Sequence, residues 1–181
     1  IFEFFQQLSL NNNTEWFKQN RQIYYDYLIS PAKAFISEIG NFFNILNPAI
    51  RTEPKFNQTI MRLNKDMRFA KGEPYRNYLL IHFGRFKMDS EFFVYFDSNE
   101  CQIGLFINAS GGKEFFFKQN LLKYKTEISE VCDYYKINNN YSLYELNKGP
   151  ELVIDSFNFN VHFDNLSKYK LIILQKIISP E

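Results

Sequence analysis

The sequence is poor in the residues that build metal and redox sites. Its 181 residues include two cysteines and two histidines, and neither Cys101 nor Cys132 has a C-x-x-C neighbour or a nearby histidine. This spacing argues against zinc and against a redox motif, so we expect no metal site and predict buried free thiols. His82 and His162 each lie in an apolar stretch, where a core histidine is more common than a ligand.

Long hydrophobic runs and targeting signals are also lacking. No apolar stretch reaches the length of a membrane-spanning helix, and no signal peptide is recognisable at the start. We therefore expect a cytoplasmic protein without a membrane partner.

Familiar catalytic signatures are missing as well. The chain contains no G-x-S-x-G elbow, no H-E-x-x-H helix and no dinucleotide fingerprint. No cofactor is predicted, and whether the protein is an enzyme stays open. The net charge of +1 lacks the basic excess that drives binding to nucleic acid, so that partner is not favoured.

Aromatic residues, in contrast, are abundant. They make up 19% of the chain, with 21 phenylalanines and 12 tyrosines but a single tryptophan, and 45% of all residues are hydrophobic. A chain of this length and composition can bury a sizeable core, and it contains no linker or repeat. We predict one globular domain over residues 1–181.

Hydrophobic periodicity predicts the fold class. Helical spacing runs through residues 2–8, 16–27, 32–46 and 117–135, with Ser30-Pro31 as a helix start. Short apolar or alternating runs predict strands. We expect an α+β domain with a mainly antiparallel sheet packed against several amphipathic helices. The predicted strands are 78–83, 91–96, 101–107, 141–146, 157–163 and 171–174.

One stretch combines charged and apolar residues at fixed spacing, from Arg62 to Phe69. Read as an extended segment, it would place Asp66 beside Arg68 on a polar face, with apolar side chains on the opposite face. A functional site is most plausible here. The polar face would consist of Arg62, Asn64, Asp66 and Arg68, and the apolar face of Met61, Leu63, Met67 and Phe69.

This motif, followed by Pro74-Tyr75, resembles the signature of a bacterial family of conserved hypothetical proteins, domain of unknown function 2461. The opening residues 5–24 are similar to the family's start, which has paired asparagines, Glu-Trp-Phe and Asn-Arg-x-x-Tyr. Lys65 departs from the family's usual arginine, and Glu73 stands where a basic residue is expected. The family usually ends in a further helix, which we expect this chain to lack. The resemblance implies a site but no activity.

Two interpretations of the motif remain open. In the first, the basic side chains bind a small anionic ligand, a phosphate or a carboxylate, while Asp66 fixes one guanidinium group. In the second, the motif is a buried ion-pair network that pins the segment to the helices, with Tyr75 closing it, in a protein-interaction or assembly module. The candidate anion-binding residues are Arg62, Arg68, Arg21, Lys65 and Arg76.

Catalysis and nucleic-acid binding are further alternatives. Asp66 could act as a general base with Tyr75 as a proton donor, although flanking arginines would lower the pKa of Asp66 and disfavour base chemistry at neutral pH. Exposed tyrosines after Arg21, such as Tyr24 and Tyr25, could stack on bases.

Overall fold

The structure is a computed structural model that describes residues 1–86 and 89–179. It confirms the predicted α+β class. The helices are α1 (Phe2–Leu10), α2 (Thr14–Tyr24), α3 (Ser30–Leu46), α4 (Glu114–Lys123), α5 (Lys125–Tyr134) and α6 (Phe159–Leu166). The strands are β1 (Leu79–Phe83), β2 (Glu91–Phe96), β3 (Cys101–Asn108), β4 (Ser142–Leu146), β5 (Pro150–Ile154) and β6 (Leu171–Ile178).

The strands follow the order β1-β2-β3-β6-β4-β5 in an antiparallel sheet. Strand β4 pairs with both β5 and β6, with Leu143 opposite Leu174. The predicted β2–β3 hairpin is confirmed. Its turn is held by Asp97, whose Oδ1 accepts the backbone N–H groups of Asn99 at 2.8 Å and Glu100 at 3.1 Å.

Chain contacts divide the described residues into two compact units. The first contains residues 1–86, 93–102 and 178–179, and the second contains residues 89–92 and 103–177. Each unit has its own cluster of buried apolar side chains. The single domain expected over residues 1–181 stays a prediction.

The core of the first unit lies between its helices and β1. Phe5, Leu8 and Ile36 are fully buried there, and Phe43 stacks on Phe83 with ring centroids 4.2 Å apart. Helix α2 begins at Thr14, because the Asn13 side chain accepts the Trp16 backbone N–H and so satisfies an otherwise unpaired donor.

Helix α3 differs from the prediction at its start. The chain stays helical from α2 into α3 through a π-helical turn, Tyr25–Ile29, so Ser30-Pro31 does not begin a separate segment. Pro31 lacks the N–H that an α-helical turn would use, and the π-helical turn ends two residues before it. The buried stripe is also narrower than predicted, since Phe42 and Leu46 are exposed.

The second unit corrects two further predictions. Residues 157–163 are not a strand: α6 occupies Phe159–Leu166, with the Asn158 side chain accepting the Val161 N–H at its start. Alternating aromatics suited a strand, but burial of Phe159, Phe163 and Leu166 follows the i, i+4, i+7 spacing of a helix. The helix predicted over 117–135 breaks at Tyr124 into α4 and α5.

Within residues 1–86 and 89–179, no helix combines the length and the apolar character needed to cross a membrane. The two thiols are free: Cys132 is buried as predicted, and Cys101 is half-buried.

Candidate functional site

The Arg62–Phe69 motif belongs to two short, paired arms joined by an exposed loop. The arms are residues 59–65 and 74–82, and backbone hydrogen bonds join Met61 N to Leu80 O at 2.9 Å and Lys65 N to Pro74 O at 2.8 Å. We call the connecting residues 66–73 the motif loop. The arms therefore fix both ends of this loop.

Asp66 organises the start of the motif loop. Its carbonyl oxygen accepts the backbone N–H groups of Phe69 and Ala70, which closes a turn. Its carboxylate accepts the Arg68 backbone N–H at 3.1 Å, Arg68 Nε–H at 2.9 Å and Arg68 Nη2–H at 2.7 Å. The predicted contact between Asp66 and Arg68 is thus present, as a two-pronged ion pair.

The predicted extended segment holds as far as Lys65 and is wrong beyond it, because the turn at Asp66 ends the alternation of faces. Met67 and Phe69, expected on a buried face, are 46% and 86% exposed. The ion pair is exposed too, with 81% of the Arg68 side chain and 47% of the Asp66 side chain open to solvent. The buried ion-pair network is therefore also wrong as a description of this pair.

The ion pair changes the titration of both partners. Hydrogen bonds from the Arg68 side chain, and then from its backbone, lower the pKa of Asp66 below its ordinary value. The same carboxylate raises the pKa of Arg68. Asp66 is therefore a carboxylate at neutral pH, which disfavours the predicted role of general base.

Two of the predicted anion-binding arginines have their donors directed at the protein. Arg76 Nη1 donates to the carbonyl oxygens of Arg62 at 2.8 Å and Asn64 at 2.7 Å. With its amide oxygen turned towards Arg62, Asn57 accepts Arg62 Nε–H at 3.1 Å and Nη2–H at 3.2 Å. Both guanidinium groups therefore brace the arms beneath the motif loop.

The remaining predicted cations lie in different places. Lys65 is half-buried at the end of the first arm. Arg21 is on α2, with its guanidinium carbon 5.5 Å from the centre of the Tyr25 ring. Of the residues that the structure describes, neither Lys65 nor Lys71, an exposed lysine in the motif loop, forms an ion pair.

Tyr75, the predicted proton donor, is a core residue. It is buried, and its ring stacks on Phe17 with centroids 4.4 Å apart. Asp66 stands at the exposed turn of the loop, so the two candidates of the catalytic interpretation occupy different environments. The structure offers no hydrogen-bonded Asp66–Tyr75 pair among its described contacts.

Asn12 fastens the second arm to the start of α2. Its Oδ1 accepts the Tyr75 backbone N–H, and its Nδ2 donates to the Tyr75 carbonyl, both at 3.1 Å. The same Nδ2 lies 2.8 Å from Asn77 Oδ1 and 3.1 Å from Glu73 Oε2. One asparagine therefore joins four polar groups along residues 73–77.

The sequence pattern did not predict this role of Asn12. Asn11-Asn12-Asn13 precede a helix that needs one capping side chain, which Asn13 supplies. The surplus asparagines were the signal that could have revealed the contact.

Charge is concentrated around the motif. Residues 62–76 hold five lysines or arginines against two acidic residues, a formal charge of +3, whereas the whole chain carries +1. The excess comes from the arms, where Arg62, Lys65 and Arg76 lie, because residues 66–73 contain two basic and two acidic residues. Segment 62–76 is thus the positively charged part of a chain that is otherwise slightly acidic. In the part of the chain that the structure describes, no cluster of histidine, cysteine and acidic side chains could hold a metal ion.

Comparison with known proteins agrees with this arrangement of motifs. No curated protein matches the chain. Residues 1–149, which include the α2 segment, both arms and the motif loop, match the family described as "Conserved hypothetical protein (DUF2461)". The match covers well over half of the chain, and the chain therefore belongs to this family of conserved hypothetical proteins.

Proposed function

We propose that the chain is a binding protein that recognises an anionic group, a phosphate or a carboxylate, through Arg68 of the motif loop. The observation that carries the proposal is the exposed Arg68 guanidinium, held in one orientation by Asp66. Arginine suits this task because its planar fork of donors matches the oxygens of phosphate and carboxylate.

The ion pair leaves part of that fork available. A guanidinium has five N–H donors, and Asp66 accepts from Nε and from Nη2 of Arg68. The edge formed by Nη1 and the second Nη2 hydrogen faces away from the carboxylate. Asp66 is thus a positioning residue, and the free edge is the part of Arg68 that would contact the anion.

Local charge supports the same conclusion. Lys71 is exposed on the same loop as Arg68, and Lys65 lies at its base. Because the 62–76 segment carries +3, an anion near the loop meets a positive potential although the whole protein is almost neutral. A concentrated charge of this kind suits a single anionic group better than a long polyanion.

A second candidate function is binding to a protein surface. Met67 and Phe69 flank Arg68 and are exposed, and the Arg68 guanidinium carbon lies 5.5 Å from the Phe69 ring centre. Arginine, methionine and phenylalanine are enriched in protein interfaces. In this case the anionic group would be a carboxylate of the partner.

A cytoplasmic location is also part of the proposal. Cys101 and Cys132 are both free thiols, and free thiols are typical of proteins in reducing compartments.

The test is a titration of the ¹⁵N-labelled protein with sodium phosphate and, separately, sodium acetate at low ionic strength. We expect the backbone amide resonances of residues 66–73, and in the parent the Arg68 Nε–H resonance, to shift with a Kd in the millimolar range, because a single exposed site binds weakly. The backbone resonances are present in every variant and are the ones compared. Arg68→Ala should abolish the response and Arg68→Lys should weaken it, because lysine keeps the charge but loses the fork.

Lys33→Ala is the matched control, since it removes one exposed cation from α3, outside the motif. It should leave the titration unchanged. Equal responses in the parent and in Arg68→Ala would refute the anion site. If neither anion binds and Phe69→Ser abolishes concentration-dependent self-association in sedimentation experiments, the protein-interaction alternative is correct.

A further inference from the structure

The second unit contains an apolar cavity that is separate from the Arg62–Phe69 motif. It has a volume of about 310 Å³ and lies among α4, α5, α6 and strands β3, β4 and β6. Its accessible wall is apolar throughout. The buried part of that wall includes Leu121, Leu143, Phe157, Phe159, Leu166 and Ile172.

The size of the cavity suits a bound molecule. An apolar cavity of about 150 Å³ is enough to stay dry and bind benzene, and small-molecule pockets begin at about 300 Å³. Protein interiors are otherwise packed as closely as organic crystals. A void of this size deprives its wall of contacts that an apolar ligand would restore.

The cavity reaches the surface between α4 and α5. Three of its lining residues, Asn120, Tyr124 and Val131, are exposed to solvent. A ligand could therefore place a polar end outside while its apolar part stays within. The break between the two helices at Tyr124 lies at this opening.

A cation stands next to the opening. Lys123 Nζ lies 4.8 Å from the centre of the Tyr124 ring, and Tyr124 lines the cavity. A hydrogen bond with Tyr124 and the electrostatic interaction with that side chain raise the pKa of Lys123; desolvation opposes them, and Glu127 makes the smallest contribution, which also raises it. The ammonium group is therefore charged at neutral pH. Lys125 follows Tyr124 in the sequence, and its Nζ lies 4.1 Å from the centre of the Phe163 ring.

We propose that this cavity binds a free medium-chain fatty acid, with the hydrocarbon chain inside and the carboxylate outside, beside Lys123 and Tyr124. The apolar wall recognises the chain, and the ammonium group complements the carboxylate. The site lies wholly in the second unit and does not depend on the anion site of the motif loop.

Binding is tested by calorimetric titration of the full chain with hexanoate, octanoate and decanoate. While the chain extends inside the cavity, affinity should rise about fourfold per methylene, the equivalent of about 0.8 kcal/mol. Decanol should bind more weakly than decanoate, and Lys123→Ala should remove that difference. Lys118→Ala, which removes another exposed cation of α4, should preserve it.

Blocking the opening gives a second test. Val131→Trp adds a large side chain at a half-exposed lining position and should reduce decanoate affinity at least tenfold. Val161→Trp makes the same exchange at an exposed position of α6 that does not line the cavity, and it should bind decanoate like the parent. Comparable circular dichroism spectra will establish that both variants fold.

The two thiols report where the ligand sits. Cys132 lines the cavity, and burial followed by the charge of Asp133 raises its pKa. Decanoate should slow the reaction of Cys132 with N-phenylmaleimide and leave Cys101, which belongs to the first unit, unchanged. Equal protection of both thiols, protection of neither, or full decanoate affinity in Val131→Trp would overturn the proposal.

Discussion

Replacing Asn12 by alanine tests the contact that holds the motif loop to the body of the first unit. The substitution removes both hydrogen bonds to the Tyr75 main chain and those to Asn77 and Glu73. Tyr75 is buried, so its backbone N–H would be left without a partner in a region that little water reaches. The Asn12 side chain therefore anchors the second arm together with its backbone pairing to the first arm.

The magnitude follows from the environment of each bond. A hydrogen bond contributes about 1 kcal/mol net, but a buried donor left unpaired costs about 1–3 kcal/mol. The bond to Glu73 is exposed and adds little. We therefore expect Asn12→Ala to lower the free energy of unfolding by about 2–3 kcal/mol. Asn12→Asp should cost at least as much, because a carboxylate oxygen would replace Nδ2 beside three acceptor oxygens, those of Tyr75, Asn77 and Glu73.

The neighbouring asparagines are matched controls for this measurement. Asn13→Ala removes the α2 cap and should cost about 1 kcal/mol. Asn11 makes one solvent-facing side-chain bond, to Gln7 O, so Asn11→Ala should have the smallest effect. Urea unfolding followed by Trp16 fluorescence reports on the same unit, because this single tryptophan packs 5.6 Å from Phe4.

With an m-value of about 2 kcal/mol/M, Asn12→Ala should lower the urea midpoint by about 1 M. Motif-loop resonances should also broaden or shift in the NMR spectrum of this variant. A midpoint loss no larger than that of Asn11→Ala would refute the reasoning. It would mean that solvent satisfies Tyr75 N–H as well as Asn12 does.

Two further predictions concern the core and the ion pair. Phe5→Ala removes a fully buried ring and should cost about 3–5 kcal/mol in urea unfolding. For Asp66, an NMR pH titration should find a pKa below the ordinary value, and Arg68→Ala should raise it towards that value. Because the folded-state pKa is lowered, the ion pair stabilises the fold above the unfolded-state pKa and loses that effect as pH falls through the folded-state pKa. This effect should be small because both side chains are in water.

Much of the fold could be predicted, because in most elements the residues that are buried are those that the hydrophobic periodicity of the sequence marks as apolar. Helix α2, strand β1 and the β2–β3 hairpin lie where the apolar spacing indicated. The prediction failed over residues 157–163, where phenylalanines at alternate positions suited a strand as well as a helix. Contacts of α6 with the rest of the second unit decided that this segment is a helix. The spacing of apolar residues within a short segment does not reveal such contacts.

The site shows the same division. The sequence predicted that Asp66 and Arg68 would meet, since residues two apart on one chain are always close. It could not predict that their pair would be exposed, because exposure depends on where the paired arms project the loop. Nor could it predict that Arg76 would brace two carbonyl groups, an interaction across 12 to 14 residues.

The sequence by itself determined the α+β class, the family and the identity of the charged residues in the motif. These three features depend on the spacing and order of residues, which can be read from the sequence directly. Tertiary structure alone decided which of those charges face water and which support the backbone. It also joined Asn12 to Tyr75 across 63 positions and enclosed the apolar cavity of the second unit. Such features arise when distant segments pack, and no local pattern records them.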